Sequence, residues 1–395
     1  MRIDVLFLWR ILAFAALFSC VSVAATNLFL ILGILVYLIL IYNRKIDVML
    51  VFSNTGSKLI MLFFVVLIMC GLVGLNPLLS VRETWQVYIY RMIPFFLVGG
   101  LSKIISRKQF ECIFLCLFSS LTVTSIVAIF QFINGNTRPN GLASHIMHLA
   151  GYYVILLPVF LIFVLDNVPL NWLKRKNLLL LPFAICVAGF IANNTRGAWV
   201  AAGLVSILIL VLLGIRYPRK FICGVCVICL SMACLSNNEL FVRRFKSITS
   251  TTNSSNAERI LIWNSAFQMI ADYPVLGVGP GGFTELYQKK YISPKAKNPE
   301  LRHCHNLFLQ IMTENGVIGL ISFLALYLYF VWYGFKEYIK KKKYAGLILA
   351  SVVLSVMIQG MTEFNASVFK DMWLMIGLCY FDLLNGKCEK NSENV

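Results

Sequence analysis

A chain of 395 residues that is 59% hydrophobic, 13% charged and of mean hydropathy +0.80 cannot cover a water-soluble surface with polar groups. It reads as an all-α polytopic membrane protein. A net charge of +18 would suggest a nucleic-acid partner in a soluble protein, but here Lys and Arg lie in short clusters between apolar runs, which marks loops on one side of a membrane and argues against nucleic acid.

Measured against the ~20 apolar residues that cross a bilayer, the sequence predicts twelve spanning helices, near 5–25, 27–42, 57–75, 87–105, 110–133, 146–166, 178–194, 198–216, 221–236, 307–335, 344–363 and 369–385. The first imitates a secretory signal through Arg2, a lipobox-like Leu17-Phe18-Ser19-Cys20 and Val23-Ala24-Ala25, but the span that follows at once predicts a retained hairpin. With the N-terminus in the cytoplasm, Arg44-Lys45, Lys174-Arg175-Lys176 and the Lys340 to Lys343 cluster fall on one side, as the positive-inside rule requires, and both termini are cytoplasmic. Segments near 76–86, 134–145, 195–197, 237–306 and 364–368 then face outward.

Of the twelve cysteines, nearly all sit within apolar runs, where a thiol is a small hydrophobe. Cys223, Cys226, Cys229 and Cys234 have a spacing like that of an iron–sulfur site, but they share one apolar span with no polar escort, so a packed or lipid-facing helix is the better reading. Cys304 is the one cysteine in the long loop, with no evident disulfide partner.

Residues 237–306 form the one large external loop, inserted between the ninth and tenth spans of a single membrane domain. Ser255-Asn256-Ala257-Glu258 reads as a capping box that opens a helix with Ile260, Trp263, Phe267 and Ile270 on its apolar face, ending at Asp272-Tyr273-Pro274. That helix is expected to lie along the membrane surface or to roof a cavity. Pro274 to Phe283 contains Gly-x-Gly-x-x-Gly, but Pro280 interrupts it and no βαβ unit surrounds it, so a shaped turn is expected, followed by a short aromatic-basic helix from Phe283 to Tyr291.

Chemistry concentrates on the outer face. His305 stands where the loop meets the tenth span, and a neutral imidazole there can take a proton from a hydroxyl; His303 competes for that role, and a solvated interfacial histidine is the plain alternative. Arg196, in Thr195-Arg196-Gly197-Ala198-Trp199, sits in a turn too short to carry it far from the bilayer, so it either reaches lipid headgroups or binds an anion with its planar fork. Arg259 and Arg138 lie on the same face. Gly316 and Gly319 are expected to serve close helix packing. His145 and His148 have metal-ligand spacing without an acidic or cysteine partner nearby, and no Asp-x-Asp pair or acidic cluster appears on this face, so an enzyme handling diphosphate would use arginines in place of magnesium.

In that order and on that face, His305-Asn306 with Gly316-x-x-Gly319, the Thr195 to Trp199 turn, and Arg259…Trp263…Pro274-x-x-Gly277-x-Gly279-x-x-x-Phe283 resemble the bacterial O-antigen ligase and polymerase superfamily, over most of the chain. The resemblance implies a GT-C-like helical fold and an inverting, metal-independent, cofactor-free glycosyltransferase of the inner membrane. Its glycan would pass from undecaprenyl diphosphate to an acceptor at the periplasmic face, with Arg196 and Arg259 on the diphosphate and His305 as the base. Length and the single large loop look most like the ligase that joins O-antigen to lipid A–core in lipopolysaccharide biosynthesis. An O-antigen polymerase stays open, as does, from another class, a glycolipid transporter, for which Arg91 is the main candidate inside a span. Glu363, at the outer end of the eleventh span, has no partner that spacing assigns; orienting His305 is one role open to it.

Overall fold

The structure, a computed structural model, describes residues 4–104, 106–165, 176–215, 218–219, 222, 239–248, 250, 254–297 and 299–386. Helices occupy eleven of the twelve expected spans; the remaining one, 221–236, with its four cysteines, lies outside the described residues apart from Ile222. Six of the helices are long and apolar enough to cross a membrane, and three shorter apolar ones, Val5–Phe18, Leu180–Asn193 and Tyr344–Gly360, pack among them. No strand occurs among the described residues.

Apolar side chains face outward as well as inward, unlike in a soluble bundle. Along Val23–Tyr42, Leu28, Ile31, Leu35 and Leu38 form a stripe in which every side chain is about half exposed. Such a stripe is stable only against hydrocarbon. The interior is aromatic: Phe95, Phe330, Trp373 and Tyr380 meet with ring centroids 5.2 to 6.0 Å apart, mostly edge to face. Close crossings use small residues, as where Gly334 and Gly346 bring Leu307–Lys341 against Tyr344–Gly360. Cys20 is buried and its amide donates to Ser120 Oγ at 2.9 Å, which ties the turn after the first helix into the bundle.

One segment gains a structure and two expectations change. Residues 76–86, read as an external segment, are helical, because the Asn76 side chain accepts from Leu79 N and Pro77 takes the first helical position; Pro77–Glu83 then runs through a π-helical stretch, Thr84–Ile89, into Tyr90–Leu101. The loop helix starts at Ser254, so Ser255 lies in its first turn and not at its cap. A different face is packed: Ile262, Ala266 and Met269 are fully buried against Phe283, Tyr287, Tyr291 and Cys304, while Ile260 and Phe267 of the expected apolar face are 42% and 56% exposed.

Gly316 brings the second change. It breaks Leu307–Lys341 with φ 63° and ψ −166°, and what it admits is a loop, not a helix. A Cβ on Gly316 would lie 2.1 Å from Val275 O. Into the break dock Val278 N to Thr313 O at 3.0 Å, Gly279 N to Glu314 O at 2.8 Å and Val317 N to Pro274 O at 2.9 Å. The expected shaped turn is therefore present, with Gly277, Gly279 and Gly281 all at positive φ, and it locks the external loop onto the tenth span.

Candidate active site

The site grows from the residue after His305. Asn306 caps Leu307–Lys341: its Oδ1 accepts from Phe308 N and Leu309 N, both at 3.0 Å. Its Nδ2 donates to Met361 O, also at 3.0 Å. One side chain thus starts a helix and holds the end of Tyr344–Gly360 beside it, and Glu363 follows two residues after Met361.

His305 is placed by that cap and by the residue before it. Cys304 is buried; its amide donates to Gln310 Oε1 at 2.8 Å and its carbonyl accepts from Trp263 Nε1 at 2.9 Å. His305 itself adopts φ 50°, a conformation that non-glycine residues take only when their surroundings impose it. Its Nδ1 then lies 3.0 Å from Glu363 Oε1 and 3.2 Å from Oε2.

Glu363 is 6% exposed and is the hub of the site. Besides His305 it faces Arg259 Nη2 at 3.6 Å and His303 Nε2 at 3.9 Å. Burial pushes its carboxyl up, but the hydrogen bond from His305 and the charges of His305, His303 and Arg259 outweigh that and hold it below the usual carboxylate range. A carboxylate can only accept, so in the neutral ring the His305 proton sits on Nδ1 and Nε2 is left as the acceptor nitrogen. His303 stacks edge-on to His305 with ring centroids 4.3 Å apart. Burial, then the charge of His305, drives its pKa down to about 4, against the pull of Glu363. It is therefore neutral at neutral pH.

Arg196 is built in from the other side. Gly197 lacks the Cβ that would sit 2.8 Å from Thr362 Oγ1, so the Thr195-Arg196-Gly197 turn abuts the residue before Glu363. Arg196 Nη1 donates to Ser247 O at 2.6 Å and to its Oγ at 3.0 Å, and Nη2 donates to Ser255 Oγ and Asn256 Oδ1. Those oxygens are neutral, so they fix the guanidinium without cancelling its charge. The side chains expected to cap the loop helix are the ones that Arg196 holds.

His305, His303, Arg259 and Glu363 thus meet directly, and Arg196 joins them through Thr362 and the loop helix. Glu363 lies 58 residues from His305, and no local spacing could have paired them. Arg91 lies elsewhere. Lys370 and Asp371 are buried, with Lys370 Nζ donating to Asn27 Oδ1, and the partly buried Arg91 acts on Lys370 from nearby; Arg91 Nη1 and Asp371 Oδ2 lack hydrogen-bond partners among the described residues. Arg91 is therefore one of three ionisable groups there, and the charged pair Lys370-Asp371 at the head of the last span was the signal for the other two.

His303, His305 and Glu363 each offer one donor atom, all within 4.8 Å of one another, a set able to hold a divalent cation. Arg259 competes with such an ion, since its guanidinium already brings positive charge to Glu363. His145 and His148 are engaged otherwise: His148 Nδ1 is 2.7 Å from Ser144 Oγ, and His145 Nδ1 accepts from Met147 N at 3.1 Å.

Residues 181–324 match the family model described as O-antigen ligase. An uncharacterised protein of Haemophilus influenzae is 23% identical over 326 residues, 75% of this chain and 77% of that protein. Two proteins described as putative polysaccharide ligases are similar over shorter stretches. That of Rickettsia bellii is 36% identical over 80 residues, 19% of this chain and 20% of its own length. That of Rickettsia conorii is 30% identical over 141 residues, 32% of this chain and 31% of its own length. Arg196, Arg259 and His305 lie within the family match, whereas Arg138 and Glu363 lie outside it.

Proposed function

We propose that the chain belongs to the O-antigen ligase superfamily, whose model matches residues 181–324, and that it is an inverting glycosyltransferase that moves O-antigen polysaccharide from undecaprenyl diphosphate to a sugar hydroxyl of lipid A–core. The reaction takes place at the periplasmic face of the inner membrane, beside the loop that carries Arg259 and His305, with both termini in the cytoplasm.

The observation that carries this reading is the pairing of His305 with Glu363 beside Arg259. In the proposed step the acceptor hydroxyl gives its proton to His305 Nε2 as its oxygen attacks the anomeric carbon. The bond from that carbon to the diphosphate breaks on the opposite face, and the electron pair leaves with the diphosphate. His305 then releases its proton to water. Positioned proton removal is worth about 10²–10⁴-fold in rate. Arg259 and Arg196 supply the positive charge that meets the departing diphosphate, in a site shielded enough for that charge to act strongly. This electrostatic work is what a metal does in other transferases, so the scheme uses none.

The test is glycan transfer by reconstituted protein given lipid-linked O-antigen and purified lipid A–core in the presence of chelator. Wild-type protein forms product; His305→Ala and Arg196→Ala insert and fold but lose transfer by about 10²-fold or more. Undiminished product from both variants, or an absolute requirement for a divalent cation, overturns the mechanism. Replacing lipid A–core by a second lipid-linked repeat tests the acceptor: polymer formed there, with no transfer to lipid A–core, would identify a polymerase.

A further inference from the structure

A third arginine is tied to the same place by backbone contacts. Asn193 Nδ2 donates to Pro139 O at 2.9 Å and Asn194 Nδ2 donates to Thr137 O at 3.3 Å. These two carbonyls flank Arg138, and the two asparagines immediately precede Thr195-Arg196. The loop bearing Arg138 is therefore pinned to the turn bearing Arg196. Arg196 in turn grips Ser247 and Asn256, and Ser247 Oγ donates to Arg244 O at 2.7 Å. Three residues beyond Asn256 comes Arg259.

The charges converge as the backbone does. Arg244 and Arg259 both repel Arg138, and Arg138, Arg244 and Arg259 all repel Arg196. Arg138 is partly buried and its Nε has no hydrogen-bond partner among the described residues. A half-buried guanidinium held among like charges is costly unless an anion completes the set. Glu363 is a carboxylate that faces the group, and it is engaged by His305 and Arg259. Among the described contacts Arg138 has no carboxylate partner, so an anion from outside the chain can serve it.

Glycosyl transfer changes the charge of the group to be held. Before transfer the diphosphate is esterified at both ends and carries about −2; once the bond to the sugar breaks, its terminal phosphate gains a second ionisation with pKa near 6, so the leaving diphosphate approaches −3 at neutral pH. We propose that Arg138 is a third diphosphate-contacting arginine whose task is to hold the charge that appears on the leaving group, so that the site binds the free prenyl diphosphate more tightly than the sugar-linked donor. The proposal rests on the diphosphate reading of Arg196 and Arg259.

The experiment compares full-length wild-type protein with Arg138→Gln, Arg138→Lys and Arg196→Gln in lipid nanodiscs. Two probes are titrated, farnesyl diphosphate and a sugar-linked farnesyl diphosphate, and transfer kinetics are measured alongside. Arg138→Gln is expected to weaken farnesyl diphosphate about tenfold, the order of one charge-assisted hydrogen bond, and the sugar-linked probe less than about threefold. It lowers kcat about tenfold with donor KM nearly unchanged, and Arg138→Lys recovers part of both losses. Equal weakening of the two probes, or no weakening of either while Arg196→Gln loses both, overturns the role of Arg138 and leaves the diphosphate site standing. If Arg196→Gln also binds farnesyl diphosphate as wild type does, the diphosphate reading itself fails.

Discussion

The imidazole of His305 and the carboxylate of Glu363 are 3.0 Å apart although 58 residues separate them, and the contact decides which imidazole nitrogen is available for chemistry. With Nδ1 donating to a buried carboxylate, Nε2 is the atom left to take a proton. The pair has the logic of an oriented base, and it depends on the Asn306 side chain that holds Met361 against the cap of the next helix.

Glu363→Gln should keep a hydrogen-bonding partner of the same size but remove the charge that supports a protonated His305. Transfer by the variant is expected to fall about 10²-fold in kcat, with donor KM little changed, since the loss is felt in the transition state. Initial rates with reconstituted protein check this. Activity within about threefold of wild type would separate Glu363 from the chemistry.

His303 gives a stability effect with a defined sign. Its folded pKa is about 4, against about 6.5 when unfolded. Between those values the unfolded chain takes up a proton that the folded chain refuses. Stability therefore falls as pH drops from about 6.5 to about 4 and levels off below. Glu363 has the same sign at lower pH, because a carboxyl held down in the folded state loses its contribution as pH falls through that depressed pKa. Melting temperatures from pH 8 to 4 should decline more steeply for wild type than for His303→Gln; parallel curves would rule out His303 as the titrating group.

Gly316 and Gly203 form a matched pair of substitutions. At Gly316 an alanine would need a positive φ and would put its Cβ 2.1 Å from Val275 O, so Gly316→Ala should cost more than the ~1–3 kcal/mol of backbone strain alone and release the Pro274 to Gly282 turn. At Gly203, within Arg196–Gly214, nothing lies within 4 Å of the same atom, and alanine should be neutral or stabilise by up to about 1 kcal/mol. Thermal unfolding of both variants, with hydrogen exchange at residues 274–282, tests the contrast. Equal melting temperatures would mean that the helix break is not imposed by the docked loop.

What the sequence determined by itself was the part that depends on runs of residues. Apolar stretches of spanning length placed eleven of the described helices, since hydrocarbon leaves a backbone few alternatives to satisfying its own hydrogen bonds. The short turn around Arg196 and the loop-to-helix junction at His305 were legible for the same reason: a polar group at a membrane boundary stands out from its neighbours. Tertiary structure decided everything that joins distant segments. It put Glu363 on His305, buried the side of the loop helix that carries Ile262, turned Ser255 and Asn256 from cap residues into holders of Arg196, and opened the tenth span at Gly316 for the turn before it. Periodicity records which side of a helix is apolar but not which neighbour will cover it, and a hydrogen bond across 58 residues leaves no mark on the local pattern of either partner.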